Sequence, residues 1–193
     1  RNLISNNSEN PIVLTQLFYK NILKETPKEN VLEITVVSPY FDKEGKIIQQ
    51  LQRDFSPQKI NVFIDESGIL PSEFPFEKYS NVKFYHWKDA KNDFNDNFNR
   101  LHAKLIHFQY LDKEILLFGS ANATISALGD ENNDGINSEV SLLIKREKSD
   151  ENWLKQLQIK TPEKTIHFDI IKNFKKNNYT TENKIKLQNA IFY

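Results

Sequence analysis

A mixed β-sheet sandwiched between helices, an α/β fold, is what this sequence predicts, and three observations carry the prediction. Short β-rich runs at 31–37 and 59–65 alternate with helix-period segments in the first half, the pattern of strands joined by crossover helices. Two further apolar runs, 101–110 and 114–118, are separated only by Leu111-Asp112-Lys113, which brings an antiparallel hairpin into the same sheet. With 193 residues, 38% hydrophobic and 27% charged, the chain is long enough for one real core and has a globular composition.

Asn10-Pro11 reads as an N-cap followed by proline at the first helical position, and Ile12, Leu14, Leu17, Phe18 and Ile22 then follow helical spacing to Lys24. Pro27 and Lys28-Glu29-Asn30 stop that helix. The run 31–37 ends at Ser38-Pro39 and reads as a buried strand. Asp42 is a candidate cap for a helix carrying Ile47, Ile48 and Leu51, closed near Phe55-Ser56-Pro57. The strand over 59–65 leads into a Pro/Gly-punctuated loop up to Phe76. A short strand is expected over 82–87, and residues 88–99, rich in Asn and Asp, read as a loop. After the hairpin come a short helix over 123–128, a polar loop over 129–136 and a strand over 138–145. Trp153, Leu154 and Leu157 suggest a helix beginning near Ser149. Beyond Thr161-Pro162 the texture changes, and 165–174 and 184–193 read as strands flanking a Lys/Asn-rich turn. Residues 1–162 therefore read as one domain, and 163–193 as an appended β-element or the start of a further domain.

Composition bounds the function more loosely. Zero cysteines exclude a disulfide framework and thiolate metal sites. No apolar run approaches the roughly 18–20 residues of a membrane span, and the N-terminus lacks the pattern of a secretory signal, so the expectation is a cytoplasmic protein without integral membrane association. Formal net charge is zero, so any site for a polyanion is local rather than global. A chain that starts at Arg1 and contains no methionine reads as a piece of a longer polypeptide.

The chemistry concentrates in Leu101-His102-Ala103-Lys104, Phe118-Gly119-Ser120-Ala121-Asn122-Ala123-Thr124 and Asn137-Ser138-Glu139. On a strand, His102 and Lys104 leave the same face. An imidazole beside a fixed positive charge suits attack on an anionic centre, of which phosphate is the commonest. A lone His-x-Lys is usually structural; it is the two companion segments that give it weight. Gly119 also has the bland reading of strand-to-helix geometry, Asn122 that of a helix cap, and Glu139 that of a surface residue. His107 lies on the opposite strand face and reads as packing; His86 and His167 have no companions. Phe84, Tyr85, Trp87, Phe94 and Phe98 offer base-stacking surfaces in principle, although core and loop packing is the better reading. The Lys172-Asn173-Phe174-Lys175-Lys176 cluster reads as a solvated turn rather than a phosphate contact.

Together these segments resemble the phospholipase D superfamily, whose signature is H-x-K followed by G-S-x-N and a downstream acidic residue. The resemblance spans roughly residues 31–146 and includes the turn Ser38-Pro39-Tyr40-Phe41-Asp42. One departure stands out: the aspartate that the family places five residues after the lysine is Gln109 here, and Asp112 does not restore the register. Tyrosyl-DNA phosphodiesterases and metal-independent restriction endonucleases of the superfamily rely on His, Lys, Asn and often Glu instead. The departure therefore points toward nucleases and away from bulk phospholipases.

The resemblance implies a role for each residue. His102 is the nucleophile of a phosphohistidine mechanism. Lys104, Ser120 and Asn122 are the phosphate-binding donors, and Glu139 holds the imidazole in one tautomer. It implies no metal and no cofactor. It also implies two H-x-K motifs facing each other, whereas this chain holds one. The second half comes either from an isologous homodimer or from an upstream domain of a longer parent, the latter favoured by the missing methionine. The expected activity is a metal-independent phosphodiesterase, a hydrolase acting as a nuclease on DNA or RNA. Two alternatives stand beside it: phospholipid cleavage or phosphatidyl transfer, and a catalytically silent nucleic-acid-binding module of a larger protein.

Overall fold

The computed structural model describes residues 10–90, 100–167 and 169–171. Seven strands form a single mixed sheet: β1 (Ile12–Leu14), β2 (Glu33–Val37), β3 (Lys59–Ile64), β4 (Val82–His86), β5 (Leu105–Gln109), β6 (Lys113–Gly119) and β7 (Ser141–Glu147), in the order β1-β7-β6-β5-β2-β3-β4. β2, β3 and β4 are parallel, and every other pairing is antiparallel. Among the described residues the sheet is flanked by α1 (Phe18–Glu25), α2 (Lys46–Phe55), α3 (Trp87–Ala90), α4 (Ile125–Leu128) and α5 (Trp153–Gln156), with a 3-10 turn at Phe76–Lys78 and a further helical turn at 169–171.

Alternation along the central strands separates two apolar layers. Ile34, Val36, Ile106, Phe108, Ile115 and Leu117 face α1 and α2, meeting Phe18, Ile22, Ile47, Ile48, Leu51 and Phe55. Val37, Phe63, Leu105, Leu116 and Ile144 face the other way, against Trp87 and Trp153. The central strands are covered on both sides, which is why their sequences read as continuous apolar runs. On α2 the buried residues recur at helical spacing, and each such side chain contributes roughly 1.5–3 kcal/mol by leaving water.

The sandwich expectation holds, with local corrections. Residues 12–14 are not helical. Ile12 and Leu14 pair with Leu143 and Ser141 of β7 to make an edge strand, and only then does α1 begin at Phe18. An edge strand tolerates Pro11 just before it, so the same residue suits either reading. Asp42 does not cap α2. Gly45 does so in a left-handed conformation (φ 60°), where a Cβ would press on Phe74. The strand after the Asn/Asp loop begins at Leu105 rather than Leu101, so His102 and Lys104 lie on an extended lead-in. β4 stops at His86, where Trp87 opens a helical turn. β7 runs from Ser141 to Glu147, and α5 starts at Trp153 with Asn152 capping the Lys155 N–H at 3.0 Å. Residues 169–171 are helical, not extended, so the strand expected over 165–174 does not form there. The strand at 184–193, the 172–176 cluster, Phe94 and Phe98 lie outside the described residues.

Candidate active site

The register brings Lys104, Ser120 and Glu139 to one end of the central strands. Val37 pairs with Leu105, Leu105 with Phe118, and Gly119 with Ser141, so the ends of β2 and β6 and the starts of β5 and β7 meet. Lys104 immediately precedes β5, Ser120 follows β6, and Glu139 lies two residues before β7. Ladder-like bonds extend past the strands, from the Gly119 N–H to the Lys104 carbonyl at 3.2 Å and from the Ser120 N–H to the Val140 carbonyl at 2.9 Å. Gly119 sits so close to β7 that a Cβ would collide with the Ser141 hydroxyl and the Val140 carbonyl, which accounts for glycine there.

His102 and Lys104 converge although they are not on a strand. Lys104 Nζ lies 3.5 Å from His102 Nδ1 and donates to the His102 carbonyl at 2.6 Å. His102 is exposed, while Lys104 is 9% exposed. Burial lowers the Lys104 pKa, and the Glu139 carboxylate opposes that shift by favouring the charged ammonium. An ammonium that is desolvated yet charged interacts strongly with an oxyanion placed beside it.

Ser120, Asn122 and Glu139 divide differently from expectation. The Ser120 hydroxyl donates to Glu139 Oε2 and accepts the Val140 N–H at 2.9 Å. Glu139 Oε1 accepts from Asn137 Nδ2 at 3.2 Å. The carboxylate therefore braces Ser120 and the 137–140 segment, and its hydrogen bonds among the described residues go there rather than to His102. Ser120 donates to an oxyanion only by releasing Glu139. Asn122 keeps a buried Oδ1 without a hydrogen-bond partner, as do several core residues such as Asn61 and Thr26. It does not cap α4. Thr124 does, accepting the Ala127 N–H at 3.2 Å.

Two groups that sequence reasoning did not assign to the site hold it in place. Asp65, at the end of β3, accepts the Leu101 N–H at 2.5 Å and the Ser67 N–H and hydroxyl, each at 2.9 Å. Burial alone would raise its pKa, but these donors and nearby Arg100 outweigh that effect and hold it below the usual carboxylate value. Asp42 and Ser38 grip the segment after Asn122. The Ala123 N–H reaches Ser38 Oγ at 3.1 Å, and the Ile125 N–H reaches both Asp42 oxygens at 3.1 and 3.3 Å. The Ser38-Pro39-Tyr40-Phe41-Asp42 turn was visible in the sequence; that it clamps α4 rather than starting α2 was not.

The structure also locates Gln109. It pairs with Glu114 at the opposite end of β5, five residues or about 17 Å from Lys104. Substitution at 109 acts on that far end. There Glu114 takes hydrogen bonds from His107 Nε2 at 2.7 Å, Arg146 Nε at 2.6 Å and the Trp153 N–H at 3.1 Å. His107 is buried in this group and packs, as expected. Among the described residues no cluster of His, Cys, Asp and Glu is arranged to hold a metal ion, and no helix is long and apolar enough to cross a membrane.

No family model matches the chain, and no curated protein matches it. Among solved structures it is similar to yeast tyrosyl-DNA phosphodiesterase, at 15% identity and a TM-score of 0.44, over 69% of this chain and 31% of that one. It is also similar to NucT from Helicobacter pylori, at 15% identity and a TM-score of 0.43, over 70% of this chain and 84% of that one. The chain thus spans under a third of the length of the yeast enzyme.

Proposed function

We propose that this chain is a phosphodiesterase unit of the phospholipase D-like kind that cleaves nucleic-acid phosphodiesters without a metal ion. The observation that supports this most is the convergence of an exposed imidazole and a buried ammonium, 3.5 Å apart, at the strand ends from which Ser120 and Glu139 also project. A His102 ring nitrogen attacks phosphorus as the bond to the leaving oxygen breaks, forming a phosphohistidine. A second histidine gives its proton to the departing oxygen. That histidine then takes a proton from water, which attacks phosphorus and releases the P–N bond. Lys104 Nζ and Asn122 Nδ2 donate to the phosphoryl oxygens as charge builds in the transition state, and Glu139 sustains the Lys104 charge.

The second histidine belongs to a facing H-x-K, from another copy of this chain or from another part of a longer polypeptide. Sedimentation at twice the chain mass distinguishes the first arrangement. The activity test is cleavage of plasmid and oligonucleotide in excess EDTA. Cleavage that His102→Ala abolishes supports the reading. Release of choline or ethanolamine from phospholipid vesicles without nucleic-acid cleavage would replace it with a lipid substrate. Binding of nucleic acid without turnover, by the complete protein, would replace it with a silent module.

A further inference from the structure

Two exposed apolar side chains stand next to each other at the same end of the sheet as Lys104. Tyr40 is 42% exposed and Ile69 54% exposed. They are partners in a parallel bridge, closed by the Ile69 N–H on the Pro39 carbonyl and the Phe41 N–H on the Ile69 carbonyl, each at 3.0 Å. Single apolar side chains on a surface are ordinary, so the weight falls on where this pair sits.

Phe41 pairs in turn with Ala123, again in parallel. The Ser38 hydroxyl, which accepts the Ala123 N–H, donates to the Tyr40 carbonyl at 2.8 Å and so ties the two segments together. Phe41 and Ala123 are both buried in the layer that faces α1 and α2. Side chains alternate along extended backbone, so Tyr40 and Asn122, each one residue earlier, turn together toward the other side. The sheet register brings Lys104 to the same place. Val37 pairs with Leu105, so Ser38 and Lys104 are the next residues to face each other, and Tyr40 follows two residues on. Two extended residues span at most about 7 Å. Lys104 also lines one small cavity together with Ala121 and Ala123, the neighbours of Asn122.

We propose that Tyr40, flanked by Ile69, is the stacking platform for an unpaired nucleobase next to the scissile phosphate. The proposal rests on the phosphodiesterase reading above and adds that the strand held there is single. A phosphate bound by Lys104 and Asn122 carries its base out over the neighbouring segment, which is the one that presents Tyr40. Every base has a π-face, and a tyrosine ring takes that face without reading the base edge. Ile69 widens the apolar floor on one side. The backbone bonds on Pro39, Tyr40 and Phe41 hold the platform before substrate arrives, so little order has to be gained on binding. In a chain of zero formal net charge, stacking supplies an attraction that salt does not screen.

Two measurements test the platform. The first uses single-stranded oligonucleotides with one cleavable phosphate, flanked on each side in turn by a base or an abasic residue. Removing the base on one of the two sides should lower kcat/KM of the complete protein at least about tenfold. Tyr40→Phe keeps that ratio, and Tyr40→Leu brings it toward one. The second needs no turnover. An oligonucleotide with 5-iodouracil beside the same phosphate is irradiated with His102→Ala protein, and a crosslink to the peptide carrying Tyr40 is expected, lost when Tyr40→Leu is added. Equal cleavage of abasic and base-containing strands, or crosslinks confined to other peptides, overturns the platform and leaves the nuclease reading in place. Sedimentation of Tyr40→Leu at half the native mass overturns it too, by assigning the pair to an interface between copies. A Tyr40 crosslink without nucleic-acid cleavage by the native protein leaves the platform standing and removes the nuclease reading instead.

Discussion

His102, on the lead-in to β5, and His107, in the middle of that strand, sit five residues apart in opposite surroundings. His107 is buried at 1% exposure, with Nε2 on Glu114, which also binds Arg146 and the Trp153 N–H, while the Arg146 guanidinium lies 4.4 Å over the Trp153 ring. That cluster ties β5, β6, β7 and α5 together through one satisfied carboxylate. His102 is exposed, and the Lys104 ammonium beside it is buried and desolvated. The Glu114 carboxylate answers its buried neighbours from three sides, whereas the exposed His102 ring meets only the Lys104 ammonium among the hydrogen-bonding groups of the described residues. On the proposed reading, the contrast separates stability at β5 from chemistry on the segment that leads into it.

Substitution at the reactive end gives the largest expected effect. His102→Ala should lower kcat for phosphodiester cleavage by roughly ten-thousandfold, while the melting temperature stays near the native value, because the exposed ring is no part of the core. At the other end, Glu114→Ala leaves Arg146 buried without its partner and should destabilise the protein by about 3–5 kcal/mol, measured by urea unfolding. Burial pushes the Glu114 pKa up, but His107, the Trp153 N–H and Arg146 outweigh it, and the folded-state value lies below the ordinary one. The stabilising contribution is therefore present above the ordinary glutamate pKa and is lost as pH falls through the lowered folded value. Acid unfolding of Glu114→Gln should lack that step.

Smaller effects probe the supports. Ser120→Ala frees Glu139 from its hydroxyl partner and should cost about tenfold in kcat/KM, far less than His102→Ala. Glu139→Gln removes the charge that raises the Lys104 pKa, so the alkaline limb of the kcat/KM profile should move to lower pH, whereas loss of a mere surface carboxylate would leave it in place. Asp42→Ala should reduce stability by about 1 kcal/mol in thermal unfolding, through the lost contact with the Ile125 N–H at the start of α4.

Much of this was legible in the sequence because local pattern and tertiary demand agreed. The runs around Ile34 and Val62 are β-branched and doubly buried, and the hairpin at Leu111 joins two such runs. Where they disagreed, pairing won. Ile12 and Leu14 follow helical spacing with Phe18, yet the free edge of β7 takes them as a strand. His102 and Lys104 alternate like strand residues, but the ladder starts only at Leu105, and they converge through the Lys104 contact with the His102 carbonyl. Asp65 was invisible as part of the site because its partner, Leu101, is 36 residues away. The altered role of Ser120 was equally hidden, since it depends on β6 ending beside the 139–140 segment.

The central claim is that the His102 ring carries the phosphoryl group between the two halves of the reaction. It is tested by mixing the complete protein with an oligonucleotide under single-turnover conditions, quenching in alkali, where phosphohistidine survives, and mapping peptides by mass. The account predicts a phosphorylated imidazole at position 102 that forms and decays at the rate of cleavage, with none at 107. Cleavage that proceeds fully while residue 102 stays unmodified at every quench time would contradict it.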